Sequence, residues 1–213
     1  MESHDSSFEA LLSRSAMLTD YLELAFALPP FEGQARFRTS ALAGSLALEH
    51  GEAVRSLLAM GLGISAAVLL RAQYEAALRS VWVCYVAKDY EIRLLEQDLS
   101  AEAERGAKGL PQANDMLLGI ERAAPPAASQ SLKNFRTHSW AALNSFVHSG
   151  IHALNRHKDG LPLPLAVGAL KSSNGLSVLA AMQCAIATGS QDLVHRISLA
   201  QRSFEDCLPP LEQ

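Results

Sequence analysis

Residues 64–87 constrain the fold of this chain more than any other segment. Their sequence, ISAAVLLRAQYEAALRSVWVCYVA, is apolar around nearly the whole circumference of a helix, which predicts a helix enclosed by others. Arg71, Glu75 and Arg79 nevertheless fall on one side of that helix. Burying an unpaired charge costs several kcal/mol, so this stripe must be paired internally, matched by another helix or open to a cleft. Each option predicts a polar centre.

The order of the three charges predicts how they pair. Glu75 precedes Arg79 by four residues, the favourable direction for an ion pair on one helix. Arg71 is therefore expected to be the cation that most needs a partner from another element. Trp82 lies on the same sector as these charges.

A second polar stripe is predicted on one long helix over residues 132–157. An apolar sector made of Leu143, Val147, Ile151 and Leu154 runs beside it, so we expect the polar stripe to border the core and to point inward. The polar stripe consists of Asn144, His148, His152 and Asn155. A buried hydrogen-bond network that fixes helix register is the simplest alternative for both stripes.

The rest of the chain also has the pattern of helices. Ala- and Leu-rich segments with helical periodicity, and almost no alternating β-branched runs, predict an all-α fold. We expect a single domain over residues 1–213, a bundle of four to five long antiparallel helices with short satellite helices. Stretches rich in Pro and Gly at 29–34, 106–131 and 159–164 are the predicted connectors, with a short amphipathic helix over 114–122.

Composition and cysteine use favour a reducing cytoplasm. The start of the chain is polar and acidic, and no stretch is expected to supply the roughly 18 uncharged apolar residues of a membrane span. The three cysteines lack C-x-x-C spacing, which excludes a disulfide framework and a zinc knuckle. Dinucleotide, Walker, H-E-x-x-H and G-x-S-x-G motifs are absent.

Charge is distributed unevenly along the chain. Residues 1–121 carry a net charge of −7 and residues 122–213 one of +3. Between Glu121 and Asp159 there is no carboxylate, so an anion can approach that span, although so sparse a set of cations is also typical of a solvated surface. The span contains Lys133, Arg136, Arg156, Lys158, His138, His148, His152 and His157. The acidic residues 89–104 are either a solvated face or a contact for the basic half of a second subunit, which would make a homodimer.

One interpretation of the polar centre is a metal site. His148 and His152 have the H-x-x-x-H spacing that places two imidazoles on one helix face, and His50, Glu49 or Glu75 can add a third ligand. A histidine on an earlier helix followed by a late H-x-x-x-H pair resembles the DinB-like four-helix metalloproteins. That resemblance implies a divalent metal held by His50, His148 and His152.

A second interpretation rests on two motifs, LRAQYEAALRSVWV on the enclosed helix and WAALNSFVHSG on the later one. Together they resemble the helical bacterial families of unknown function that are related to the HEPN superfamily and to abortive-infection proteins. The resemblance covers roughly residues 40–160. Its best matching positions are Arg71, Glu75, Arg79, Trp82, Asn144, Ser145, His148 and Gly150.

The HEPN resemblance implies a ribonuclease that needs no metal or other cofactor and acts on RNA in defence or stress response. His148 would be the general acid or base for the 2′-hydroxyl or the leaving oxygen. Arg71 or Arg79 would stabilise the phosphorane charge, with Glu75 orienting the arginines. The supporting residues would be Asn144, His152, Trp82 and Glu49.

The chain departs from the HEPN signature at one point. That signature places an arginine four to six residues before its histidine, whereas Arg136 is too close to His138 and too far from His148. A module without catalytic activity that binds a protein partner, in the manner of an antitoxin, is therefore the competing prediction.

Overall fold

Helices make up most of the part of the chain that the computed structural model describes, residues 2–31 and 33–210, and no strand occurs in that part. The all-α prediction is confirmed. The helices are α1 (Glu2–Leu22), α2 (Ala35–Ala59), α3 (Gly63–Tyr85), α4 (Asp89–Leu95), α5 (Ala101–Ala107), α6 (Ala113–Ala123), α7 (Pro126–Val147), α8 (Ile151–Asp159), α9 (Leu163–Ala187), α10 (Gln191–Ser198) and α11 (Ala200–Ser203), with short 3-10 helices at Glu23–Phe26 and Glu205–Cys207. The antiparallel packing of the long helices stays a prediction.

Proline and glycine set the ends of several helices. Pro126 opens α7 and Pro164 lies in the first turn of α9, positions where proline's fixed φ suits a helix and its missing N–H costs nothing. Gly160 follows α8 with a φ of 83°, a left-handed conformation that glycine adopts without strain. The positions of proline and glycine in the sequence therefore explain where these helices begin and end.

Helix α3 is the enclosed helix that its sequence predicts. It packs against α2, α6, α7 and α9, and fourteen of its residues are buried. Small residues let α2 approach closely, since a Cβ added at Gly51 would lie 2.5 Å from Ser177 Oγ and 2.7 Å from Gln73 Nε2. The centre of the fold is thus the interface of α2, α3 and α9.

Several polar side chains inside this interface are paired, although Gln183 Oε1 on α9 is buried without a partner in the described chain. Gln73 donates from Nε2 to the Ser173 carbonyl and to Ser177 Oγ, both at 3.0 Å, and its Oε1 accepts from Ser173 Oγ at 2.7 Å. Ser40 and Ser80 exchange hydroxyl-to-carbonyl bonds of 2.9 and 2.8 Å. These bonds link α3 to its two closest neighbours and leave the partners satisfied.

A second cluster of buried apolar residues joins α1, α9, α10 and α11. It includes Leu18, Leu22, Leu193 and Ile197. This cluster holds the two ends of the chain against α9, so α9 is packed on more than one side.

Helix α9 corrects the expectation that no segment is apolar enough to cross a membrane. Its span, Leu163–Ala187, meets the length and composition of a membrane helix, because Lys171 is its single charged residue. The helix packs against α1, α2, α3 and α10, and its Ser173 and Asn174 are buried with hydrogen-bond partners. Twelve of its 25 residues are buried, so packing inside the protein accounts for part of the apolar composition of α9.

The predicted connector over 106–131 is largely helical. It holds α6, whose Met116, Leu117 and Ile120 are buried against α3, and α7 begins at Pro126. The amphipathic helix predicted there is present and anchors the segment by apolar burial.

The single helix predicted over 132–157 is two helices, and the prediction was wrong at residues 148–150. Ser149 has a φ of 52°, and the Gly150 N–H donates to the Ser145 carbonyl at 2.7 Å while the Ser149 N–H reaches the Phe146 carbonyl. This is a Schellman turn, which ends α7. The Ser145 hydroxyl then accepts from the His152 N–H at 3.1 Å and supports the start of α8.

Candidate functional site

Three aromatic rings pack together where α3 meets α7. Tyr74 stacks on Phe135, with ring centroids 4.8 Å apart and an interplanar angle of 11°. Tyr74 also meets the edge of Trp140 at 5.7 Å and 67°. Such offset and edge-on contacts are favourable beyond the apolar area that they bury. They fix the position of α7 on the enclosed helix.

Two arginines approach Trp140 from different helices. The guanidinium carbon of Arg71, on α3, lies 4.2 Å from the Trp140 ring centroid, and that of Arg136, on α7, lies 4.4 Å away. Both distances are within the range of a cation–π interaction. We call Arg71, Tyr74, Phe135, Arg136 and Trp140 the Trp140 cluster.

Glu75 pairs with Arg71, which corrects the predicted pair with Arg79. Arg71 donates from Nε to Glu75 Oε1 at 3.0 Å, and its Nη2 lies 3.0 Å from the same oxygen. Glu75 has an arginine four residues away in each direction, and only Arg71 is held at the same time by Trp140. That second contact orders the Arg71 side chain and favours its pairing.

Arg79 occupies a different environment on the same stripe. Its guanidinium lies 5.9 Å from the Trp82 ring. Burial lowers the pKa of Arg79, and the nearby charge of Glu75 partly offsets this effect. Trp82 itself is buried in the core, and its supporting role stays a prediction.

Several polar atoms of this region are buried without a hydrogen-bond partner in the described part of the chain. They are Nη1 of Arg71, Nη1 of Arg79, Nη1 of Arg136 and Oη of Tyr74. Leaving such a group unsatisfied costs about 1–3 kcal/mol, and more when it is charged. Three of the four belong to residues of the Trp140 cluster, which therefore has unused donor capacity.

The hydroxyl of Tyr74 stays protonated in this setting. Burial raises the pKa of Tyr74 to about 12, against the opposing influence of the Arg136 guanidinium. Tyr74 is consequently a neutral hydrogen-bond donor at physiological pH.

The predicted histidine stripe does not point into the core. His148 caps the end of α7 and His152 lies in the first turn of α8, and both side chains are exposed. The apolar sector beside them is exposed as well, with Ile151 72% and Leu154 65% accessible. The turn at residues 148–150 separates the two halves of the stripe, and within α8 only Ala153 is buried.

The remaining predicted residues are dispersed. Asn144 is half-buried, and its carbonyl accepts from the His148 N–H. Two other predicted residues lie on α2, where His50 is half-buried and Glu49 is exposed. Over residues 2–31 and 33–210, no group of three or more His, Cys, Asp or Glu side chains is placed to hold a metal ion. The metal alternative with His50, His148 and His152 stays a prediction without support from this geometry.

Sequence reasoning missed three members of the site, Tyr74, Phe135 and Trp140. Arg136 was noted only as a cation of the span without carboxylates, although it precedes Trp140 by four residues on one helix. An arginine and a tryptophan at that spacing share a helix face, which is the signal that was available.

A basic segment, residues 122–158, contains the three cluster residues that lie on α7. It contains five Lys and Arg residues and no carboxylate. Lys133 pairs with Glu121 across 3.0 Å, and the side chains of His138, His157 and Lys158 are exposed. Exposed cations therefore follow α7 and α8 although the whole chain has a net charge of −4.

Comparison with curated proteins and with solved structures finds no significant match. A model of one protein family matches residues 44–210, a range that includes all of α3, α7 and α8 and hence the Trp140 cluster. The description of that family names no activity and refers neither to HEPN nor to abortive-infection proteins. This chain belongs to the family described as "Family of unknown function (DUF6988)".

Proposed function

We propose that this protein binds single-stranded RNA along the basic segment, with the Trp140 cluster as the anchoring point. The observation that carries the proposal is the set of buried, unpartnered donors on Arg71, Tyr74 and Arg136. It lies beside a segment of the chain that has no carboxylate. Phosphate oxygens accept from guanidinium groups, and exposed cations steer a polyanion to one side of a protein with a negative total charge.

Single-stranded RNA fits this surface better than a duplex. Proteins that bind unpaired nucleotides combine arginine and aromatic planes with a basic groove. The Trp140 cluster supplies both an aromatic ring and guanidinium planes, since Arg71 and Arg136 each lie within 4.4 Å of the indole centroid.

Fluorescence anisotropy with an end-labelled RNA oligomer tests the binding proposal. We expect the affinity to fall as salt rises, because bound phosphates release counterions, and Arg136→Ala to weaken binding about tenfold or more. Arg196→Ala is the matched control, since Arg196 is an exposed arginine on α10 and lies outside the basic segment. Equal losses in the two variants, or binding that salt does not change, would contradict the proposal.

Metal-independent cleavage of RNA is the second candidate, favoured by the exposed position of His148 at the end of the helix that carries Arg136. In this reaction the 2′-oxygen attacks phosphorus, the 5′-oxygen leaves, and His148 takes or returns the proton. Arg71, which pairs with Glu75, would stabilise the phosphorane, and Arg79 is the other candidate for that role.

RNA breakdown in EDTA tests this second candidate. We expect His148→Ala to abolish cleavage and His195→Ala, an exposed histidine on α10, to leave it unchanged. Intact RNA with the unmodified protein would reject catalysis and leave the binding proposal standing. A role in defence or stress response stays a prediction of the sequence resemblance.

The partner-binding alternative is favoured by a different observation, the exposure of Ile151 and Leu154 on α8. Loss of a co-purifying protein on Ile151→Ser, in a protein that does not bind RNA, would support it. An unchanged interaction would reject this surface as the contact.

A further inference from the structure

The donors of the Trp140 cluster match one small ligand group. We propose that Arg71, Tyr74 and Arg136 bind a phosphomonoester, which in the setting of the proposed function is the terminal phosphate of an RNA strand. The inference deepens the proposed function and rests on it for the RNA, but the phosphate site has a test of its own.

The number of donors agrees with the number of acceptors. Nη1 of Arg71, Nη1 of Arg136 and Oη of Tyr74 are the three cluster atoms that lack a partner in the described chain. A terminal phosphate presents three non-bridging oxygens, whereas the diester inside a strand presents two. Two guanidinium groups and a neutral phenol can each donate to one of those oxygens.

Glu75 orients one of these donors. It holds Nε and Nη2 of Arg71 at 3.0 Å, which leaves Nη1 as the nitrogen without a partner. Protonation of Tyr74 follows from burial, which raises its pKa to about 12. The Arg136 guanidinium approaches Tyr74 Oη and lowers the pKa of that hydroxyl, so the phenolic hydrogen is what Tyr74 offers a ligand.

An arginine elsewhere in the chain shows that contact with an aromatic ring does not by itself leave donors unused. Arg14 lies 4.3 Å from the Phe204 ring centroid, a distance close to those in the Trp140 cluster. Its Nε donates to the Asp206 carboxylate and its Nη2 to the Ser203 carbonyl. Arg14 is thus paired, whereas Nη1 of Arg71 and of Arg136, like that of Arg79 outside the cluster, has no partner in the described chain.

Burial favours the end of a strand over its interior. Tyr74 has no accessible surface and the Arg71 side chain is 18% exposed. A diester would have to continue through the α3–α7 interface on both sides of the phosphate. A phosphomonoester needs an opening on one side only, because the strand continues from a single oxygen. The terminal phosphate is therefore the ligand that fits this degree of burial.

Binding of RNAs that differ only at their ends tests the inference. Anisotropy is measured with one sequence carrying a 5′-phosphate, a 3′-phosphate or hydroxyl groups at both ends. We expect one phosphorylated end to bind about tenfold tighter than the hydroxyl form, since one charge-assisted hydrogen bond is worth about that factor. Tyr74→Phe and Arg136→Met should each remove the preference, and Arg14→Met should retain it.

Calorimetry with inorganic phosphate, AMP and adenosine separates this inference from RNA binding. The phosphate site predicts binding of AMP and inorganic phosphate, no binding of adenosine, and loss of both interactions in Tyr74→Phe. Phosphate binding without RNA binding would retain the site and reject the proposed function. Equal affinity for phosphorylated and hydroxyl-ended RNA, or a preference that persists in Tyr74→Phe, would overturn the phosphate site.

Discussion

Two neighbouring residues of α3, which face different helices, differ in how their polar groups are paired. Gln73 faces α9, and its side-chain nitrogen and oxygen are bonded to Ser173 and Ser177. Tyr74, the next residue, faces α7, and its hydroxyl has no partner in the described chain. Both side chains are fully buried.

This difference separates a side that holds the fold together from a side that is suited to a ligand. A buried network whose hydrogen bonds are all made rigidifies the helices that it joins. Buried donors without an acceptor lower the stability of the free protein and favour the binding of a group that accepts from them.

The thiol of Cys184, on α9, should be strongly protected from alkylation. Cys184 is buried, and burial raises its pKa to about 12 from the ordinary value of 9.0. Because the thiolate is the reactive form, we expect alkylation of native Cys184 at pH 8 to be at least about 1,000-fold slower than in the unfolded chain. Alkylation followed by peptide mass spectrometry measures this ratio. A ratio near one would show that the α9 side opens readily.

Removing a partner from the closed network should cost substantial stability. Gln73→Ala leaves Ser173 and Ser177 with buried unpaired groups and a small cavity, so we expect the free energy of unfolding to fall by about 2–4 kcal/mol. Urea denaturation followed by circular dichroism measures it. Gln97→Ala, at an exposed position, is the control and should change it by less than about 0.5 kcal/mol.

The same kind of change on the α7 side should matter far less for folding. Arg136→Met removes a guanidinium with a buried unpartnered nitrogen and keeps an apolar stem against Trp140. We expect the free energy of unfolding to change by less than about 1 kcal/mol. A loss above 2 kcal/mol in urea denaturation would show that Arg136 is a structural residue and that the two sides of α3 are alike.

Much of the fold could be predicted from the sequence because the signals are local. Helical periodicity gave the all-α class, and the apolar circumference of residues 64–87 identified the enclosed helix. The charged stripe on that helix was also predicted, since the helical repeat determines which side chains share a face.

The partners of the charged stripe could not be predicted in the same way. Periodicity places Arg71 and Arg79 equally far from Glu75, and the choice between them depends on Trp140, more than sixty residues away in sequence. The turn at Ser149 and Gly150, in contrast, had a local signal, because a Ser-Gly pair is typical of turns. The apolar residues spaced at helical intervals on both sides of this pair led to the prediction of one continuous helix.

The Schellman turn at residues 148–150 makes α8 a separate surface helix with few attachments to the rest of the protein. One turn and the hydroxyl of Ser145 join it to α7, and Ala153 is its single buried residue. Substitutions on its remaining positions therefore carry little penalty for folding. Selection can alter the charges and apolar side chains of α8 to suit a new ligand while the α2, α3 and α9 core stays as it is.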